Sequence, residues 1–336
     1  MAAAISALAL APLSDRRGRR IFLWGGSLLF GVASLACSMA WDFTSMLMFR
    51  FLVGFAGGIM SMSAQALVGD HFPHARRGSA MGTVLAGRFL GLSLGVVIGI
   101  LFAQWLGWPV TFRFIAVIAF FSAWPAWRMI PQVTPQFHQS RSPLQLYRQL
   151  LSDTPSLYTV LVSMFNSAGL GGFLFFIGIW LEESFGFALW QIATVFVLTG
   201  MLSFGGSLVS GRYADRYGRT LVIRWGNLLC ALAFVVIPLT AGHFWLTGVF
   251  FAILSLAVAL WMPPLHTLVT ELAPASARGS LVALKNAAAL VGIACAQSIG
   301  GYLYDSGGYV LVGLCSATLY IAGWALVQWK IPETIA

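Results

Sequence analysis

Charged residues are scarce in this chain. Asp, Glu, Lys and Arg together make up 9% of its 336 residues, whereas hydrophobic residues make up 59%. A soluble globular domain carries about 25% charged residues, and the mean hydropathy of +0.86 lies far on the apolar side. The composition therefore excludes an ordinary soluble domain and indicates a protein embedded in lipid.

Acidic residues are the rarer charged class, with ten Asp and Glu against 19 Lys and Arg. In a soluble protein such a basic excess would suggest a nucleic-acid partner. Here the basic residues concentrate in short segments between apolar runs, where they fix the topology of a membrane protein. No basic helix or aromatic-basic sheet pattern accompanies them, so we expect no nucleic-acid partner.

Cysteine is also rare, and the signatures of enzymes are missing. The four cysteines fall inside apolar runs and are interpreted as free thiols that pack as small apolar residues: Cys37, Cys230, Cys295 and Cys315. The sequence contains no metal-ligand cluster, nucleophile elbow or phosphate-binding loop. We expect no metal, no cofactor and no enzymatic activity.

Long apolar runs are abundant. A helix needs about 20 residues to cross the hydrocarbon core, and the sequence predicts ten such spans, at 21–40, 44–67, 79–104, 109–130, 156–181, 188–210, 220–240, 245–268, 280–303 and 309–329. The segment before them, 1–13, is apolar but gives a helix of only about 20 Å. We expect an all-α membrane protein.

A polar segment, 131–155, separates the spans into two groups. Its leucines predict a short amphipathic helix along the membrane surface: Leu144, Leu146, Leu150 and Leu151. The predicted domains are therefore an N-terminal bundle at 1–130, a cytoplasmic linker at 131–155 and a C-terminal six-helix bundle at 156–336. Arginines cluster at 14–20 and 211–220, which places these turns and the C-terminus in the cytoplasm.

The two halves of the chain repeat each other. The segment Ala11-Pro-Leu-Ser-Asp-Arg-Arg-Gly-Arg-Arg20 recurs as Gly211-Arg-Tyr-Ala-Asp-Arg-Tyr-Gly-Arg-Thr220. A second landmark, Asp70-x-x-Pro-x-x-x-Arg77-Gly-Ser79, recurs as Glu271-x-x-Pro-x-x-x-Arg278-Gly-Ser280. Small residues then follow every four positions, at Gly87, Gly91, Gly95 and Gly99 and at Ala288, Gly292, Ala296 and Gly300. Three landmarks in the same order indicate a duplication, and the small residues predict close helix contacts.

These motifs resemble the Major Facilitator Superfamily of secondary transporters. The family's loop between its second and third helices reads roughly G-x-L-A-D-R-x-G-R-K, which matches Leu13, Asp15, Arg16, Gly18 and Arg19, with Arg20 in place of Lys and Ala11 in place of the first glycine. The resemblance covers essentially the whole chain. It implies two pseudo-symmetric helix bundles with about ten complete spans plus a partial N-terminal helix, and it implies that the first helix lies upstream of Met1.

In this family each loop acid caps the N-terminus of a helix in the opposite bundle. The resemblance implies that Asp15 caps the helix beginning near Gly279 and that Asp215 caps the one beginning near Gly78, since an anion suits the positive end of a helix dipole. It assigns conformational gating to Asp15, Arg16, Gly18, Arg19, Asp70, Arg77, Asp215, Arg216, Gly218, Arg219, Glu271 and Arg278.

Polar side chains inside the spans are candidates for substrate binding or coupling, because they are costly in lipid. Arg50 resembles the family's fourth-helix arginine, with snorkelling to the interface as the alternative, and Arg88 should face a water-filled cavity. The full candidate set is Arg50, Arg88, Asn166, Trp261, His266 and Asn286. For the last four, helix packing stays open as an alternative, and Lys285 is expected to snorkel.

The resemblance implies a monomeric inner-membrane transporter of the drug or sugar efflux subgroup, which exchanges a small organic solute for protons. Val96 replaces a proline that proton antiporters of the family usually carry, and no acid lies inside a span. The alternatives are a transporter of anionic metabolites attracted by Arg50 and Arg88, a non-transporting remnant, a membrane enzyme and a channel.

Overall fold

The computed structural model describes residues 2–131, 143–273 and 277–331, and within them the chain is helical apart from short connections. The helices are α1 (Ala2–Arg17), α2 (Arg19–Ser38), α3 (Phe43–His71), α4 (Arg77–Trp105), α5 (Trp108–Met129), α6 (Pro143–Ser152), α7 (Thr154–Phe185), α8 (Leu189–Tyr217), α9 (Arg219–Leu239), α10 (Phe244–Leu272) and α11 (Arg278–Lys330). A 3-10 turn, His74–Arg76, precedes α4.

All ten predicted spans coincide with helices. Eight of them correspond to separate elements, and the last two are joined in α11, whose 53 residues contain a break at Gly307 and Gly308. Counted as continuous elements, nine helices in the described residues are long and apolar enough to cross a membrane. The predicted linker helix is also present as α6, although residues 132–142 of the linker lie outside the described residues.

The first motif segment is not the loop predicted over residues 14–20. Helix α1 runs through to Arg17 and α2 begins at Arg19, so that Gly18 alone breaks the helix, with φ 88°. The second copy repeats this geometry at Gly218, with φ 95°. A residue with a Cβ atom rarely adopts positive φ, which explains the glycine at this position of both copies.

The described helices form two compact units that are discontinuous in sequence. Unit 1 comprises residues 1–71, 95–151 and 273–287, and unit 2 comprises 72–94, 152–272 and 288–336. The predicted division at the linker, into 1–130 and 156–336, stays a prediction.

In unit 1, α2 packs against α3 and α5, and α1 packs against α3. Helices α1 and α3 approach closely at Gly58, where a Cβ atom would come within 2.7 Å of the Ala3 Cα atom. In unit 2, α10 packs against α7, α8 and α9. The core of unit 2 is rich in aromatic residues, including Phe173, Phe234 and Trp261.

The two small-residue ladders behave differently. In the second half, a Cβ atom at Gly292 would lie 2.6 Å from the Met164 carbonyl oxygen, and one at Gly300 would lie 2.6 Å from the Phe176 ring. In the first half, no described atom lies within 4 Å of a Cβ atom built at Gly87, Gly91 or Gly95. The expectation of close helix contact is therefore confirmed at Gly292 and Gly300 of α11 against α7. Among the described residues it is wrong for Gly87, Gly91 and Gly95 of α4, whereas a Cβ atom at Gly99 would lie 3.8 Å from the Thr111 side chain.

This difference predicts opposite effects of the same substitution. We expect Gly292→Ala to lower the melting temperature of the detergent-solubilised protein, because overpacking costs about 1–3 kcal/mol. We expect the matched control Gly91→Ala to leave it unchanged or raise it, since alanine gains about 0.5–1 kcal/mol over glycine in a helix. Equal effects at the two positions would contradict the packing described for α11 and α7.

Candidate functional site

The first motif acid caps a helix that begins more than 260 residues later in the chain. The backbone N–H groups of Gly279 and Ser280 donate to the two carboxylate oxygens of Asp15 over 2.9 and 3.0 Å, and the Ser280 hydroxyl donates over 2.8 Å. These N–H groups belong to the first turn of α11, where no helical partner exists for them. The Asp15 side chain is 2% exposed, so the cap is shielded from solvent.

The second motif acid makes the reciprocal cap in unit 2. The N–H groups of Gly78 and Ser79, in the first turn of α4, donate to Asp215 over 2.9 and 2.8 Å. Each copy of the repeat thus supplies the acid that caps the other copy's landmark helix. Both contacts implied by the resemblance are present, while their role in gating stays a prediction.

Glycine is required at both capped helix starts. A Cβ atom at Gly279 would lie 2.7 Å from an Asp15 carboxylate oxygen, and one at Gly78 would lie 2.9 Å from the Asp215 carboxyl carbon. This explains the glycine in each Arg-Gly-Ser tripeptide, because the absence of a side chain there leaves room for the capping acid.

An arginine one helical turn after each acid links the cap to the second landmark. Arg19 forms an ion pair with Asp15 and also contacts Asp70 over 3.0 Å. Arg278 contacts the other oxygen of Asp70 over 3.0 Å. In unit 1 the network therefore joins α1, α2, α3 and the start of α11.

The network in unit 2 is more buried. The Arg219 side chain is 2% exposed and pairs with Asp215 over 3.3 Å and with Glu271 over 2.7 Å. It also donates to the His74 carbonyl oxygen over 2.9 Å, while the His74 ring lies 3.3 Å from Glu271. A buried charge needs such partners, because its desolvation is costly.

The linker helix α6 contacts the first cap. The Tyr147 hydroxyl donates to the Leu8 carbonyl oxygen over 2.5 Å. Burial, followed by the negative charge of Asp15, raises the pKa of Tyr147. Leu146 and Leu150 are buried, which accounts for two of the apolar positions predicted for this helix.

The remaining gating candidates lie at the edges of these networks. Arg16 and Arg216 are exposed, and the Arg216 guanidinium stacks over Tyr217. The Arg77 Nε atom donates to the Phe72 carbonyl oxygen over 3.0 Å.

The two candidate arginines, Arg50 and Arg88, are exposed in the structure. Arg88 is the twelfth residue of α4, about 17 Å from the helix start. The Arg50 guanidinium carbon lies 5.1 Å from the centre of the Phe112 ring, a cation-π arrangement.

The amide and aromatic candidates are enclosed. Asn166 is 0% exposed, Trp261 2% and His266 7%, whereas Asn286 is half-buried. Lys285 does not snorkel as expected, because it is 2% exposed and donates to the Gln65 amide oxygen over 3.3 Å.

Unit 2 contains an apolar cavity of about 190 Å³ between α7 and α11. Its wall includes Met164, Phe165, Ile299, Leu319 and the thiols of Cys295 and Cys315. These two cysteines are free and exposed, whereas Cys37 and Cys230 are free and buried.

Sequence reasoning missed three participants in the networks: Ser14, His74 and Tyr147. His74 and Tyr147 contact residues far away in the sequence, and Ser14 is a position that the second motif copy does not repeat. In the sequence, only the repeated spacing of the two landmarks pointed to residues of these networks.

The buried pair in unit 2 predicts a stability effect. We expect Glu271→Gln to lower the melting temperature, because removing one partner of a buried ion pair costs about 3 kcal/mol or more. Glu182→Gln is the matched control, since Glu182 is exposed and its loss should leave the melting temperature unchanged. Equal shifts of the melting temperature in the two variants would show that the ion pair between Arg219 and Glu271 does not stabilise the protein.

Comparison with known proteins places the fold and the motifs in one family. The family model of the Major Facilitator Superfamily matches residues 1–242 and 203–335. The uncharacterized MFS-type transporter YwfA of Bacillus subtilis is 25% identical over 96% of this chain and 79% of its own length. The chloramphenicol resistance protein of Pseudomonas aeruginosa is 27% identical over 91% of this chain and 71% of its own.

Among solved structures, the human organic anion transporter MFSD10 has a TM-score of 0.85 at 17% identity, covering 97% of this chain and 81% of that one. The likeness in structure shows the shared fold, and the family model covers both copies of the repeat. The chain therefore belongs to the Major Facilitator Superfamily of secondary transporters.

Proposed function

We propose that this chain exports a small organic solute in exchange for protons, by alternating access in which the two helix caps are broken and remade. The observation that carries the proposal is the reciprocal capping of α11 by Asp15 and of α4 by Asp215. Topology anchoring alone requires arginine in these segments. It does not require an acid that reaches the start of a distant helix.

The hydrogen bonds of each cap are weak enough for the cap to open and close reversibly. A hydrogen bond to a charged group contributes about 1.5–3 kcal/mol, and each cap comprises two or three such bonds. The same groups are satisfied by water when a cap opens, so the difference between the closed and open states stays small. A ligand with unequal affinity for the two states can then shift their populations.

An apolar organic solute is favoured by the wall of the cavity between α7 and α11, which is almost entirely carbon and sulfur. Such cavities bind apolar molecules and leave specificity to a few polar groups. The Pseudomonas aeruginosa relative is a chloramphenicol resistance protein, and this supports efflux as the direction.

An anionic substrate is the second candidate. Arg50 and Arg88 are exposed although they lie within candidate spans, where a cation is costly unless it faces water or a partner. An organic anion would supply that partner.

Transport by the purified chain in liposomes with an imposed pH gradient tests the proposal. Proton movement should begin when a transported solute is added from a panel of cationic drugs, neutral sugars and organic anions. Asp15→Asn should reduce that flux at least about tenfold, because it removes the charge from the cap.

Asp153→Asn is the matched control. Asp153 also caps a helix, but it does so locally, by accepting from the Ser156 N–H group over 3.1 Å. Its substitution should leave flux close to that of the unaltered chain. If both variants fold and show equal flux, the Asp15 cap has no role in gating.

The anionic alternative predicts a different pattern. If organic anions are the substrates, Arg88→Gln should raise their KM while leaving the melting temperature unchanged, since Arg88 is exposed. Transport of a neutral or cationic solute that is insensitive to Arg88→Gln would favour the first proposal.

A further inference from the structure

Lysine is rare among the basic residues of this chain. Of the 19 Lys and Arg residues, only Lys285 and Lys330 are lysines, and all the others are arginines. Lys330 is exposed at the end of α11. Lys285, the eighth residue of α11, is 2% exposed. A buried position is therefore occupied by a basic residue that the chain uses almost nowhere else.

The choice of lysine matters because the two cations differ in how firmly they hold a proton. The guanidinium of arginine stays charged in proteins, whereas burial readily converts a lysine amine into its neutral form. Where a permanent buried charge is balanced by carboxylates, the chain uses arginine, since Arg19 and Arg219 are buried and each pairs with two acids. A buried lysine suits a position at which the charge changes.

Lys285 is linked to an exposed group of unit 1 by neutral side chains of α3. Its amine donates to the Gln65 amide oxygen over 3.3 Å, and the Gln65 amide nitrogen donates to the Ser61 hydroxyl over 3.0 Å. Gln65 is 4% exposed, whereas Ser61 is exposed. The buried amine thus lies two hydrogen bonds from an exposed hydroxyl.

The first cap lies on the same helix as Lys285. Arg278 precedes Lys285 by seven residues, about 10 Å along α11, and Asp70 follows Gln65 by five residues, about 7 Å along α3. With the capping acid and its arginine they form a network of two acids and two bases, whose formal charges cancel. The proton on Lys285 therefore sets the net charge beside this network.

Four helices contact this part of α11. Helices α1, α2 and α3 reach it through Asp15, Arg19 and Gln65, and α6 reaches it through Tyr147, whose hydroxyl is near that of Ser280. Besides the cap network, the titratable and charged groups of these helices are Arg16, Arg17, Arg20, Cys37, Arg50, His71, Tyr147 and Arg148.

The acids of unit 1 are committed to other contacts. Asp15 and Asp70 belong to the cap network, and Asp42 accepts from the Ser45 N–H group over 2.7 Å at the start of α3. These are the only acids in the sequence of this unit. A group that exchanges a proton inside unit 1 is therefore better sought among the bases.

We propose that Lys285 carries the coupled proton, an assignment that rests on the proton exchange proposed above. The charged amine gives one proton to water, the electron pair of the broken N–H bond stays on Nζ, and the amine becomes neutral. Uptake of a proton from water on the other side of the membrane restores the charge. Arginine does not serve this step, because it does not lose its proton in proteins.

Nuclear magnetic resonance of the detergent-solubilised protein, labelled with carbon-13 at the lysine Cε atoms, tests the proton site directly. The chain should give two signals, which Lys330→Met assigns. Between mildly acidic and mildly alkaline pH, the Lys285 signal should change from that of a charged amine to that of a neutral one, while the Lys330 signal stays constant. A Lys285 amine that keeps one charge state over this range would overturn the proposal.

Transport in liposomes gives a second measurement, with a solute from the panel above that the unaltered chain carries. Lys285→Met should lower flux driven by a pH gradient at least about tenfold, because a thioether carries no proton. Exchange of the same solute without a gradient should persist, since methionine resembles the neutral amine in length. Lys330→Met is the matched control and should leave both activities unchanged.

The two measurements separate this assignment from the proposed function. If Lys285→Met loses both activities, or neither, Lys285 does not carry the coupled proton. If the unaltered chain moves no solute, the proposed function fails, and the resonance titration still decides whether Lys285 exchanges a proton.

Discussion

The structure depends on one electrostatic constraint, the need of a helix N-terminus for hydrogen-bond acceptors. The first N–H groups of α4 and α11 have no partners within their own helices, and in a chain with ten acids few groups can supply them. Asp215 and Asp15 do so across the length of the sequence. This requirement explains the glycine at each capped start, since a side chain there would occupy the place of the carboxylate.

The burial of the two capping acids also explains the arginines and the second pair of acids. A buried carboxylate is costly unless its charge is balanced, and Arg19 and Arg219 balance it one helical turn away. These arginines are themselves buried and contact Asp70 and Glu271. The two landmarks of the repeat are therefore parts of one charge network in each unit.

The interior of unit 2 shows a different balance between polar and apolar contacts. Phe173, Phe234 and Tyr309 form an aromatic core in which the Tyr309 hydroxyl has its own backbone acceptor. The buried Asn166 amide nitrogen likewise has an acceptor on another helix, the Asn227 amide oxygen at 2.9 Å. In lipid no bulk water reaches these groups, so the helices must enclose their own polar partners.

The sequence by itself determined the helical class, the ten spans and the duplication, because apolar run lengths and repeated motifs can be read directly from the chain, whereas the two caps were implied by the resemblance to the family. Only the tertiary structure decided that residues 14–17 are helical, that Lys285 is buried against Gln65, and that Gly292 but not Gly91 meets a neighbouring helix. These outcomes depend on which helix packs beside which. A sequence pattern marks small or polar residues as suitable for contact, but the contact itself exists only once a partner helix lies against them.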